Sequence, residues 1–206
     1  KTGLRERLKP GAQDLVLEFN ASEHEPKTQD VDTIRDEILR RKGAVLPRVV
    51  IGIGGGSTMD VAKAVSVMLT NPGSAADYQG WDLPKNKPVP KIAVPTLSGT
   101  GAEATRTAVL TGPVKKLGIN SDFSIYDAVL MDPELLKTVP ADQEFYSGMD
   151  NFIHCVESIN GSAMNALGRP FALQAKAAAE NFFLKEKNDA ELMVGSFLGG
   201  CSIAKS

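Results

Sequence analysis

Asp150 and His154, four positions apart in the run Gly148-Met149-Asp150-Asn151-Phe152-Ile153-His154, are the residues best suited to metal chemistry. On a helix this spacing puts carboxylate and imidazole on one face, one turn apart. There they either share a divalent cation or simply hydrogen-bond each other. Oxygen and nitrogen donors together suit Fe(II), Zn(II) or a similar ion. Glu157 continues the face, either behind the pair or in solvent. The second histidine, His24, lies in a polar stretch with no ligand spacing to the pair. An open catalytic metal site takes about three protein ligands. Either further ligands lie beyond Ser206, or a metal binds weakly or not at all.

The second chemical feature is Val49-Val50-Ile51-Gly52-Ile53-Gly54-Gly55-Gly56-Ser57-Thr58-Met59-Asp60-Val61-Ala62-Lys63, which reads as strand, tight turn and helix N-terminus. β-Branched residues suit a buried parallel strand, and glycines admit close backbone approach. Unpaired first-turn amides, the helix dipole and a Ser57 or Thr58 hydroxyl would favour a diphosphate. A tight turn with no ligand is the plainer alternative. A P-loop needs its lysine directly after the glycines, whereas Lys63 comes six residues beyond Ser57, so ATPase chemistry is disfavoured. The dinucleotide fingerprint is nearly matched by Gly52 and Gly54, with Ser57 in place of its last glycine. Asp77 stands at a ribose-binding distance but follows Asn71-Pro72-Gly73-Ser74, and reads as a solvated loop carboxylate.

The elements that must position these groups follow from composition and periodicity. At 206 residues and 42% hydrophobic content, the chain can bury a sizeable core, and it has no apolar run approaching the roughly 20 residues of a membrane span. A net charge of −2 gives no polybasic signal for nucleic acid or an anionic membrane. Two cysteines without paired spacing, Cys155 and Cys201, suit buried thiols in a reducing cytoplasm rather than a disulfide.

Residues 15–19 read as a strand, and residues 28–42 form an amphipathic helix through Val31, Ile34, Ile38 and Leu39. The glycine-turn helix runs to about Leu69. Residues 71–90 form a long surface excursion and candidate lid, with Trp81 as a loop anchor. Residues 91–96 are a short buried strand, and the alternation predicts a mostly parallel sheet covered by helices. Beyond about Pro133 the periodicity turns helical over 141–159, 170–184 and 190–204. This predicts an α/β nucleotide-binding domain over 1–133 and an all-α metal-binding domain from 134 to 206. Residues 1–8 read as the tail of a helix and residues 199–206 lack a cap, so a segment cut at both ends is expected.

Four ordered motifs carry a resemblance. They are Gly54-Gly55-Gly56-Ser57-Thr58-Met59-Asp60-Val61-Ala62-Lys63, Pro95-Thr96-Leu97-Ser98-Gly99-Thr100-Gly101-Ala102-Glu103, Met131-Asp132-Pro133-Glu134-Leu135 and the Asp150/His154 run. Together they resemble the iron-containing, group III alcohol dehydrogenases. That resemblance implies a dehydroquinate-synthase-like fold with its site in a cleft between the two domains. It further implies that Gly55, Gly56, Ser57 and Asp60 border the diphosphate of NAD(P). Thr96, Ser98 and Thr100 would hydrogen-bond the cofactor, with Thr107, Lys116 and Leu135 nearby. Asp150 and His154 would be the first two ligands of iron or zinc, and two further histidines would follow Ser206.

The family's usual Thr-Thr is Thr96-Leu97 here, and its usual Asn-Pro is Glu25-Pro26, so no role passes to Glu25. Residues 99–161 are most similar to the 3-deoxy-manno-octulosonate 8-oxidase branch, which serves lipopolysaccharide amino-sugar synthesis. The implied chemistry is metal-assisted oxidation of a primary alcohol, such as a sugar acid, with hydride passing to nicotinamide. A homodimer is implied as well. A polyol dehydrogenase, a lyase on the same fold and a non-catalytic nucleotide-binding fragment are the competing readings.

Overall fold

The computed structural model describes residues 8–20, 25–43, 45–161 and 165–205. The amphipathic start, residues 1–7, and His24 lie outside them.

Helix α1, Thr28–Lys42, starts where the Asp30 carboxylate accepts the Lys27 amide at 2.8 Å. Arg40, Arg41 and Lys42 fill its last turn, where cations suit the dipole. Gly43, at φ 64°, ends it in the left-handed conformation that glycine adopts without penalty. Strand β1, Val50–Gly54, runs into helix α2, Gly56–Met68. From Met59 onward α2 is buried at every position but Asp60, because it lies between two sheets. A helix enclosed in this way is apolar all round.

The remaining strands are β2 (Gly80–Trp81), β3 (Lys91–Pro95), β4 (Thr107–Thr111), β5 (Lys116–Asn120) and β6 (Ala128–Val129). One sheet is parallel, in the order β1-β3-β6, with Gly54 opposite Pro95. The other has the order β2-β5-β4 and pairs β4 antiparallel to β5. The first sheet agrees with the expected parallel arrangement, and the hairpin from Thr107 to Asn120 is an element that the alternation did not announce. Val31, Val61, Ala64, Val65, Met68, Ala108, Leu110 and Ile119 form the main core between α1, α2 and the hairpin.

Two expectations are corrected. Residues 15–19 are in no strand. The segment is held by packing instead, with Leu15, Leu17 and Phe19 laid against the main core. Residues 71–90 are also no loose excursion. Asn71 is buried, accepts the Lys85 and Asn86 amides at 3.0 and 2.9 Å, and donates to Val67 O and Asn86 O. Asp77 closes a capping box with Ser74, and Asp32 of α1 accepts from Ser74 Oγ and the Ala75 amide. Trp81 anchors nothing apolar, being 70% exposed with the Arg106 guanidinium 5.8 Å from its ring centroid.

Three helices complete the described chain: α3 (Ala141–Asn160), α4 (Gly168–Leu184) and α5 (Asp189–Lys205). Small residues let α4 and α5 pack closely, Ala178 facing Gly195 where a Cβ would come within 2.8 Å. Phe182, Ala179 and Leu192 form their core, with Phe152 and Phe183 against it. The helices meet the α/β part at the loop after β3. A Cβ on Gly99 would lie 2.3 Å from the Ser147 carbonyl oxygen, and one on Gly101 would lie 2.5 Å from the Ser196 carbonyl oxygen. Ser196 Oγ accepts the Gly99 amide at 2.7 Å. Cys155 is a buried thiol, and burial pushes it up to about 11.

Two outcomes follow from this packing. Gly99→Ala should lower the unfolding free energy by roughly 1–3 kcal/mol, because helical backbone rather than a mobile side chain meets the added methyl; urea denaturation measures it. Cys155 should resist iodoacetamide in the folded chain at pH 8, where only about one thiol in a thousand is ionised, and react on unfolding; peptide mass spectrometry reads this out.

Candidate functional site at the glycine turn and the Asp-His helix

The turn between β1 and α2 is bare backbone under tight constraint. Gly54 has φ 158°, and a Cβ there would meet Thr58 Oγ1 at 2.5 Å. A Cβ on Gly56 would meet Thr100 Oγ1 at 2.7 Å, so Thr100 rests directly on the turn. Gly55 caps the helix without a side chain, and Leu97 lies over it. The first bond into the helix backbone runs from the Met59 amide to Gly55 O, 3.0 Å. The amides of Gly56, Ser57 and Thr58 therefore find no acceptor within the helix, and the dipole makes this end electropositive. Ser57 is half-buried beside them. Thr96 is held against the same turn by its amide, which donates to Gly54 O at 2.9 Å. The turn, Thr96 and Thr100 thus converge at the carboxyl ends of β1 and β3, where open α/β sheets place ligand crevices.

Other predicted residues take different positions. Asp60 lies under the turn, its Oδ2 accepting the Val109 amide at 3.1 Å and its Oδ1 lying 3.5 Å from Lys63 Nζ. Ser98 is buried, its hydroxyl lacks a hydrogen-bond partner, and it lines a small solvent-open cleft with Leu136, Val139 and Ser147. Thr107 donates to Asn120 Oδ1 at 2.5 Å. Lys116 stands at the opposite end of the hairpin, opposite Thr111, roughly 13 Å from Thr107 along the strand at ordinary rise. Its Nζ pairs with Glu25 at 2.8 Å and holds that carboxyl below its usual range. Leu135 is buried in the helical turn Pro133–Leu135.

Lys63 is the residue that sequence reasoning passed over. It is fully buried, and Nζ donates to Thr105 Oγ1 at 2.9 Å and to Thr107 O at 2.7 Å. The Tyr126 ring lies 5.8 Å from the ammonium, and the Tyr126 hydroxyl donates to Met59 O at 2.7 Å. Glu103 is buried in the turn Ala102–Ala104. Burial pushes the Asp60 and Glu103 carboxyls up and the Lys63 ammonium down, while attraction between the acids and Lys63 opposes those shifts. The available signal was a lysine within an otherwise apolar helix that has no solvent face to receive it.

Asp150 and His154 do share one face of α3, with His154 Nδ1 3.6 Å from Asp150 Oδ2. That nitrogen is buried and makes no hydrogen bond. The pair is partly exposed, so its remaining donor atoms have access to an ion. Among the described residues no third histidine, cysteine or acid completes a cluster around it. Ser147, whose carbonyl packs on Gly99, lies one turn before Asp150 on the same helix. The loop that touches the glycine turn therefore also touches the helix bearing the donor pair.

Comparison with known proteins accords with this arrangement. The family model for iron-containing alcohol dehydrogenase matches residues 1–133. A sulfoacetaldehyde reductase of Bilophila wadsworthia is 36% identical over 174 residues, 84% of this chain and 44% of that protein. The structure of a sulfoacetaldehyde reductase from Bifidobacterium kashiwanohense in complex with NAD+ superimposes with a TM-score of 0.82 at 29% identity, covering 98% of this chain and 56% of the other. An iron-containing alcohol dehydrogenase from Thermotoga maritima gives a TM-score of 0.77 at 27% identity, over 88% of this chain and half of that one. The chain thus spans about half the length of the relatives it matches. With most of its length matched by the family model and 84% of it aligned at 36% identity to a sulfoacetaldehyde reductase, the chain belongs to the iron-containing alcohol dehydrogenase family.

Proposed function

We propose that this chain carries the dinucleotide side and the first metal ligands of an oxidoreductase that interconverts primary alcohols and aldehydes with NAD(P). The observation that carries the reading is the bare turn of Gly54, Gly55 and Gly56, pressed on Thr58 and Thr100, with free first-turn amides at its mouth. A side chain at Gly54 or Gly56 would meet Thr58 or Thr100, so the turn stays bare backbone, and unpaired amides at a helix start of this kind favour a diphosphate. In this reading Gly55, Gly56 and Ser57 receive the diphosphate, and Thr96 and Thr100 offer hydroxyls beside it. The structure with NAD+ bound, from Bifidobacterium kashiwanohense, supports NAD as the first cofactor to test.

The donor set at Asp150 and His154 suits iron or zinc, one oxygen and one nitrogen on a partly exposed helix face. When bound, the divalent ion supplies Lewis acidity toward the substrate oxygen and nicotinamide supplies the hydride acceptor. The chain's own part is positional: Gly99 against Ser147 fixes the donor helix relative to the loop over the turn.

The finer reading is a sugar-acid alcohol, the C8 hydroxyl of 3-deoxy-manno-octulosonate, in a cytoplasmic homodimer serving lipopolysaccharide amino-sugar synthesis. It is supported by the similarity of residues 99–161 to that branch. Relatives named sulfoacetaldehyde reductase support a small acidic substrate in the same sense. No helix among the described residues is long and apolar enough to cross a membrane. A non-catalytic nucleotide-binding role is the competing reading, favoured by the two-member donor set among the described residues.

Two outcomes test this. NADH fluorescence titration should show saturable binding that Gly56→Val weakens by about tenfold or more, since the larger side chain is driven into Thr100 and the turn; unchanged affinity would remove the turn from the site. Metal analysis after loading with Fe(II) or Zn(II) should show retention that His154→Ala and Asp150→Asn each abolish while NADH affinity stays within about twofold. Assays with simple primary alcohols, polyols and 3-deoxy-manno-octulosonate rank the substrates, and binding without metal retention or turnover on any of them would favour the non-catalytic reading.

A further inference from the structure

We infer that Lys63, braced by Asp60, is a positioning residue that sets the distance between the glycine turn and the segment from Thr100 to Thr107. The inference rests on the proposed dinucleotide site. Helix α2 begins at the turn, and Lys63 lies two turns in, with no exposed surface. Its ammonium has three hydrogens and three neighbours at bonding or ion-pair distance: Thr105 Oγ1, Thr107 O and Asp60 Oδ1. Asp60 in turn accepts the Val109 amide, so the two side chains reach β4 and the loop before it from one helix face.

Thr100, at the other end of that segment, already rests on Gly56. The segment is therefore held to α2 at both ends, by the Thr100 side chain packed on Gly56 and by a buried cation at Thr105 and Thr107. A structural ion pair alone would need only Asp60 and Lys63. The two further acceptors lie in the segment that bears hydroxyls beside the proposed cofactor site. Loss of the cation would let the segment move relative to the first-turn amides, which weakens cofactor binding without removing any group that touches cofactor.

The test uses the 206-residue chain and NADH binding, with thermal unfolding as a separate readout. Thr105→Val, which removes one acceptor at nearly constant volume, should weaken NADH binding about tenfold, whereas Thr105→Ser should stay within about twofold of the parent. Lys63→Met leaves Asp60 without its cation and is expected to lower the melting temperature. The double variant Asp60→Asn with Lys63→Met removes that unpaired charge and should recover much of the melting temperature while still binding NADH about tenfold more weakly. A folded double variant that binds NADH within twofold of the parent overturns the inference, as does a Thr105→Val variant with parental affinity. Absence of NADH binding by the parent chain overturns the dinucleotide reading itself, and this inference with it.

Discussion

Two glycines without room for a methyl group hold the architecture together. At Gly99 and Gly101 the loop after β3 meets the backbone of α3 and α5 at separations that exclude a Cβ. Helix-to-loop contact at this range leaves little play, because backbone on both sides is already committed to its own hydrogen bonds. The Gly99 amide finds its acceptor in Ser196 Oγ across the seam. Everything proposed for the site depends on that seam. One side of the loop touches the glycine turn through Leu97 and Thr100, and the other side touches the helix of Asp150 and His154.

The buried charges beneath the turn are a different kind of constraint. Apolar packing alone would let α2 slide or rotate against the hairpin, since one branched aliphatic contact is much like the next. An ammonium that must find oxygen acceptors has few acceptable positions. Lys63, satisfied by Thr105, Thr107 and Asp60, selects one register for α2 on β4. Tyr126, in the loop before β6, adds a second polar constraint through Met59 O.

Much of this was legible before any coordinates, for reasons that differ by element. The turn at Gly54 and Gly56 announced itself because glycine clusters between an apolar run and helical spacing have few structural uses. Helix α1 was readable from its period, and the Asp150/His154 face needed only the helical repeat. Residues 15–19 misled because a short apolar run reports burial and says nothing about ladder partners. The hairpin stayed hidden because β5 carries Gly118, a weak strand signal; that glycine is demanded by Thr107, whose methyl would lie 2.4 Å from a Cβ. Lys63 was passed over because periodicity along the chain does not show that the second sheet encloses α2 on its far side and leaves this lysine no solvent to face.

Asn71 leads to a consequence of another sort. One carboxamide binds the end of α2 at Val67 O and, across 15 residues, the returning strand of the detour at Asn86. The neck of the detour is thus tied from both sides, by the Asn71 carboxamide and by Asn86 Nδ2, which donates to Thr70 O at 2.7 Å. The last turn of α2 and the neck of the detour are therefore expected to open as one cooperative unit, with protection from hydrogen exchange that rises and falls together.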